Sequence, residues 1–86
     1  MMKSEECPDL SGGKLLVGLK QTRQAIETGQ ASKVFVAMDA EPRLVQPLVE
    51  ACRKFGIPTE EVVSMRQLGA ACGIHVGAAA AAILLK

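Results

Sequence analysis

Lys33-Val34-Phe35-Val36-Ala37-Met38-Asp39-Ala40-Glu41-Pro42 is the stretch that decides the fold. Its first six residues are a nearly unbroken apolar run of strand length, rich in β-branched and aromatic side chains. Such a run does not alternate, so it predicts a central strand covered on both faces rather than a half-exposed one. Asp39-Ala40-Glu41-Pro42 then turns the chain into a helix, with Pro42 early enough to be tolerated. Leu44, Leu48, Cys52 and Phe55 follow at helical spacing and Gly56 closes the segment. Pro47 removes a helical hydrogen bond, which predicts a kink or restart near Gln46.

Upstream, LKQTRQAIET (19–28) reads as a helix that stops at Gly29, with Leu19, Thr22, Ala25 and Ile26 on its apolar side. Lys14-Leu15-Leu16-Val17, ending at Gly18, fits either a short strand or a helix end. Downstream, a second strand is expected around Glu61-Val62-Val63. Ser64-Met65-Arg66-Gln67 has the form of a capping box, opening a short helix to about Ala71 with a stop at Gly73. Alanine favours helix, yet the length of Gly77–Leu85 and its place after a β-α alternation predict a buried strand lined with small residues. The alternation gives an α/β domain spanning residues 14–86, its sheet covered on both faces. Residues 1–13, polar and carrying Pro8, Gly12 and Gly13, are expected to form a flexible lead-in.

Composition narrows the function. The chain has 86 residues, 49% hydrophobic and 22% charged, enough for one small domain. Trp and Tyr are absent and only two Phe are present, so base stacking on an aromatic platform is excluded. The apolar stretch Val76–Leu85 is far below the roughly 20 residues of a membrane-spanning helix. MMKSEECPDLSGG has no apolar core of a secretory signal, so a cytoplasmic protein is expected. Net charge is only +1, but Lys14, Lys20 and Arg23 form a local basic patch without an acid between residues 10 and 26.

Little supports catalysis. His75 is the only histidine, no nucleophile elbow or phosphate loop is present, and the acids are scattered or adjacent as Glu60-Glu61. No catalytic residue, metal ligand set or cofactor is expected. Cys7, Cys52 and Cys72 lack metal-site spacing, and the latter two fall on apolar helix faces, so both are expected to be buried, inert thiols.

Two segments remain. In Gly18-Leu19-Lys20-Gln21-Thr22-Arg23-Gln24 a glycine precedes a helix, leaving backbone N–H groups free for a phosphate or an acceptor-rich base edge. Lys20, Gln21 and Gln24 project from the first turn and a half, and Lys and Gln are residue types that read purine edges. The same pattern also fits a solvated helix face. In Leu68–Gly77, Ile74 and Val76 flank His75 in a glycine-bounded loop. Either both apolar side chains are exposed together and need a partner, or both turn inward and leave His75 outside.

Taken together, GLKQTRQA from Gly18, VFVAMDAEP from Val34 and LGAACGIHVGAA from Leu68 resemble the kink-turn RNA-binding family of archaeal-type ribosomal protein L-seven-Ae. The similarity is greatest to its small bacterial paralogues and covers about Leu15–Leu84. The resemblance implies a three-layer α/β/α sandwich with a small mixed sheet of about four strands, binding RNA without chemistry. It implies that Gly18 gives close backbone approach, and that Lys20 and Gln21 face guanine edges of tandem sheared G·A pairs. Arg23 and Gln24 complete that helix face. It also implies that Ile74 and Val76, with His75 between them, pack on a flipped-out nucleotide. Gln24 stands where relatives often carry lysine, and His75 where an acidic residue is common. The implied partner is structured RNA such as ribosomal RNA or a riboswitch, met by a monomer with no DNA or membrane involved. The rival reading is a protein-interaction module on the same fold, using the Ile74–Val76 loop.

Overall fold

The computed structural model describes residues 14–85; the lead-in 1–13, with Cys7, and Lys86 lie outside the described residues. The chain runs β1 (Leu15–Val17), α1 (Leu19–Glu27), β2 (Ala31–Ala37), α2 (Pro42–Phe55), β3 (Thr59–Val62), α3 (Met65–Ala71) and β4 (Ala80–Leu84). The four strands form one mixed sheet in the order β1-β4-β2-β3. β4 lies antiparallel to both β1 and β2, and β3 lies parallel to β2. This is the three-layer α/β fold expected, with the 15–17 ambiguity resolved as a strand.

Strand alternation divides the core. Val34, Val36, Ala80 and Ala82 face Ala25 and Ile26 of α1 and Leu48 and Cys52 of α2. Phe35, Ala37, Ala81 and Ile83 face the opposite layer, where Leu68 of α3, Val62 and Ala78 complete a second cluster. β2 is thus buried on both sides, as its unbroken apolar run requires. β4 is a strand despite its alanines because it pairs on both edges, while an isolated helix so short is marginal. Its small side chains let both helical layers approach the sheet closely. At the start of β2 the register shifts between Ala31 and Lys33, and the Ser32 hydroxyl donates to the Ile83 carbonyl at 3.0 Å.

Four expectations need correction. β2 ends at Ala37, and Met38, expected in the covered strand, is exposed in the turn that follows. α2 runs unbroken through Pro47. Pro47 is exposed, and the hydrogen bond it forgoes is to Arg43 in the exposed first turn, where water can replace it. The buried stripe of α2 is Val45, Leu48, Val49 and Cys52, whereas Leu44 and Phe55 remain 46% and 50% exposed. Apolar spacing alone located the stripe one residue off, because Leu44 and Phe55 match the period while flanking the contact. Cys52 is buried, but Cys72 is only half-buried at the C-cap of α3. Burial pushes both thiols up from their ordinary range, opposed at Cys52 by a hydrogen bond with Thr59.

One core group is at odds with its surroundings. Thr22 of α1 is fully buried and its hydroxyl has no hydrogen-bond partner. An unsatisfied buried hydroxyl costs about 1–3 kcal/mol. Thr22→Val keeps the shape and removes the polar atom, so it should raise the unfolding free energy by about 1 kcal/mol in urea denaturation. A loss of stability would mean that the hydroxyl is satisfied in solution.

Candidate nucleic-acid interface

The sheet brings four chain reversals to one end. Val17, the last residue of β1, lies opposite Ala81, and Val36 lies opposite Ala80, the first residue of β4. Ala37 and Val62, the last residues of β2 and β3, are neighbours. Gly18, Met38–Glu41, Val63–Ser64 and the loop before β4 therefore leave the sheet together. Main-chain bonds join them. The Gly18 N–H donates to the Ala80 carbonyl at 2.9 Å, Ala37 to Ala79 at 2.9 Å, and Ala78 to Met65 at 3.0 Å. The Met65 N–H donates to Asp39 Oδ1 at 2.7 Å, tying the start of α3 to the β2–α2 turn.

Gly18 turns β1 directly into α1 with φ 118°, a conformation that side-chain-bearing residues rarely adopt. As N-cap it offers no side-chain hydrogen bond, and the first turn of α1 carries no acid. The N–H groups of Leu19, Lys20 and Gln21 thus lack intrahelical acceptors, at the positive end of the helix dipole. The Gln21 carboxamide curls back toward Gly18, with Oε1 2.5 Å from where a Cβ would project. Lys20, Gln21, Arg23 and Gln24 are all exposed, while Thr22, Ala25 and Ile26 bury the other side of the helix. Arg23 is tethered one turn on, its Nε 3.0 Å from Glu27 Oε2.

The loop 72–79 is held against α3. Ser64 caps that helix, its Oγ accepting from the Gln67 N–H at 3.1 Å. Gly69 is buried, and a Cβ there would overlap the Val76 carbonyl oxygen and come within 3.1 Å of Gly77 Cα. The Ile74 N–H donates to the Gly69 carbonyl at 3.0 Å. This close approach separates the two apolar side chains. Ile74 is half-buried against the Phe35–Leu68 cluster, whereas Val76 is 70% exposed and His75 is also exposed. Neither simple expectation, both out or both in, describes the loop.

The profile of the ribosomal protein L7Ae/L30e/S12e/Gadd45 family matches residues 5–85. The chain belongs to this family. Among L7Ae relatives, RNA-binding protein GWCH70_0105 of Geobacillus sp. (strain WCH70) is 47% identical over 75 residues, covering 87% of this chain and 92% of that protein. RNA-binding protein YbxF of Geobacillus stearothermophilus is 44% identical over the same length and shares. Among solved structures, the Giardia lamblia 15.5kD RNA binding protein superposes with a TM-score of 0.79 at 30% identity, covering 84% of this chain and 61% of that one. A Bacillus halodurans protein of unknown function gives 0.73 at 29% identity, covering 80% and 69%.

Within this L7Ae-type frame, the sheet brings the two segments singled out from sequence to one end. It also adds residues that the sequence reading did not take as site candidates. Met38 is 63% exposed and Asp39 and Glu41 are exposed beside it, in the turn after β2. Two acids just past the carboxyl end of a buried strand were the available signal, since ligands of α/β sheets gather there. Among the described residues, no helix is long and apolar enough to cross a membrane.

Proposed function

We propose that this chain is a non-enzymatic RNA-binding protein that recognises and stabilises kink-turns in structured RNA. The observation carrying this reading is the uncapped, acid-free start of α1, with Lys20, Gln21 and Gln24 exposed along it. The names of the Geobacillus and Giardia relatives support the RNA part of it.

Gly18, without a side chain, lets a nucleotide approach the free N–H groups of the first turn. Lys20 and Gln21 meet the guanine edges of tandem sheared G·A pairs, where a kink widens the groove, and Gln24 extends that contact one turn on. Arg23 serves a neighbouring phosphate. Val76 packs on the flipped-out nucleotide, Ile74 supports it from below, and His75 lies at the loop surface. No aromatic platform is needed, because a preformed kink is recognised mainly by shape. Binding only the kinked conformer shifts the RNA equilibrium toward it. Few cations serve this surface, so three or four neutralised phosphates would give a slope of log K against log salt of about −2 to −4. A cytoplasmic monomer acting on ribosomal RNA or another structured RNA fits this reading.

Titration against a short kink-turn RNA at fixed salt and low magnesium tests it. The control is the same RNA with its G·A pairs changed to Watson–Crick pairs. Tight binding to the first and loss on the control is the expected result; equal, weak binding to both would overturn it.

A further inference from the structure

β1 and β2 are each antiparallel to β4, so they run parallel to each other, and the helices that follow them start at the same end of the sheet. α1 and α2 pack on the same core cluster, and their opening turns enclose a groove. Leu19, Lys20 and Arg23 line it from α1, and Arg43, Leu44 and Pro47 from α2. Three cations rim an apolar floor, of which Leu44 is 46% exposed.

Arg43 was not among the residues singled out from sequence. In this structure its Nε lies 3.2 Å from Glu41 Oε2, with side chains 81% and 53% exposed. Arg23 pairs with Glu27 in similar exposure. Exposed pairs of this kind hold a side chain only weakly, so either guanidinium can exchange its carboxylate for a phosphate, which it binds in a fork. Neither helix has an acid within its first turn or a side-chain hydrogen bond at its cap, although Glu41 is the N-cap residue of α2. Glu27 and Glu41 are the carboxylates with which a phosphate competes for these arginines.

We propose that the α1–α2 groove holds the sugar–phosphate backbone of the RNA next to the segment contacted by α1, with Arg43 as its anchoring cation. The apolar floor accepts the ribose faces while Arg23 and Arg43 meet the phosphates. This inference rests on the RNA reading above. It assigns a second contact line, on the flank of α1 facing α2, to a residue distant in sequence.

The test compares wild type, Arg43→Ala and Arg43→Lys on the kink-turn RNA and its Watson–Crick control across a salt series. Thermal melts confirm that each variant folds, as expected for so exposed a position. Arg43→Ala should bind the kink-turn about 3- to 10-fold more weakly near 0.1 M salt, with the slope of log K on log salt shallower by about 0.7–0.9. It should still discriminate against the control, and Arg43→Lys should restore the slope. Unchanged affinity and slope in Arg43→Ala, with discrimination intact in wild type, would overturn the groove alone. Wild type that fails to discriminate would overturn the RNA reading of the site, and this inference with it.

Discussion

Replacing Lys20 and Gln21 together by alanine is expected to weaken kink-turn binding about 100- to 1000-fold while leaving the fold intact. Each well-placed side chain on a purine edge contributes about 1–3 kcal/mol of discrimination, and each 1.4 kcal/mol is a factor of ten. Both residues are exposed in the first turn of α1, so neither supports the core. Exposed substitutions of this kind change stability by about 0.5 kcal/mol or less, and alanine is a good helix former. The Gln21 carboxamide already sits over Gly18 with its Oε1 innermost, so its loss also removes a polar group from the point of closest approach. Isothermal titration of the double variant against both RNAs, with a melt as control, decides the matter. Wild-type affinity in a folded double variant would show that the start of α1 is not the reading surface.

Phe35→Ala should act on the fold instead, lowering the unfolding free energy by about 3–5 kcal/mol. Phe35 is fully buried in β2 and is the largest side chain of the cluster beneath α3. Cavity costs depend on how far neighbours can collapse. Here Ala37, Ala78 and Ala81 are among those neighbours, and alanines have no side-chain length with which to fill the space. Lys33, whose Nζ lies 5.3 Å from the ring centroid, is drawn off by Glu60 at 2.7 Å. The upper half of the range is therefore expected. For a domain of this size the total is about 4–13 kcal/mol, so the melting temperature should fall by about 16 °C or more. Phe35→Leu, which keeps most of the volume, should cost about 1 kcal/mol and remains measurable if the alanine variant does not fold. An alanine variant as stable as wild type would mean that the ring is not part of the packed core. Ile74 rests on the same cluster, so the loop carrying Val76 should loosen before the sheet does.

These two outcomes mirror what the chain disclosed about itself. β2 was legible because burial on both faces leaves an unbroken apolar run, and α3 because Ser64 and Gln67 carry their capping pattern locally. The start of α1 as a candidate site was legible for the same reason: a glycine and a polar helix turn are neighbours in the chain. β1 was ambiguous, since three residues are too few to display a period. The buried stripe of α2 was misplaced, because Leu44 and Phe55 are apolar yet stand beside the contact rather than in it. Asp39, Glu41 and Arg43 escaped notice for a topological reason. β1 and β2 run parallel, each antiparallel to β4, and that pairing, absent from local sequence, carries the turn after β2 to the end of the sheet where Gly18 lies. Ile74 and Val76 part company because Gly69 lets the backbone in, which apolar alternation does not encode.

The bonds that gather this end of the molecule run mostly from main chain to main chain, through Gly18, Ala37, Ala78 and the carbonyls of Ala79 and Ala80. The framework of the surface is thus set apart from most of the side chains displayed on it. Positions 20, 21, 24, 43 and 75 can drift in sequence while the frame stays put. A lineage that duplicates such a gene inherits a ready platform on which few substitutions suffice to acquire a new target.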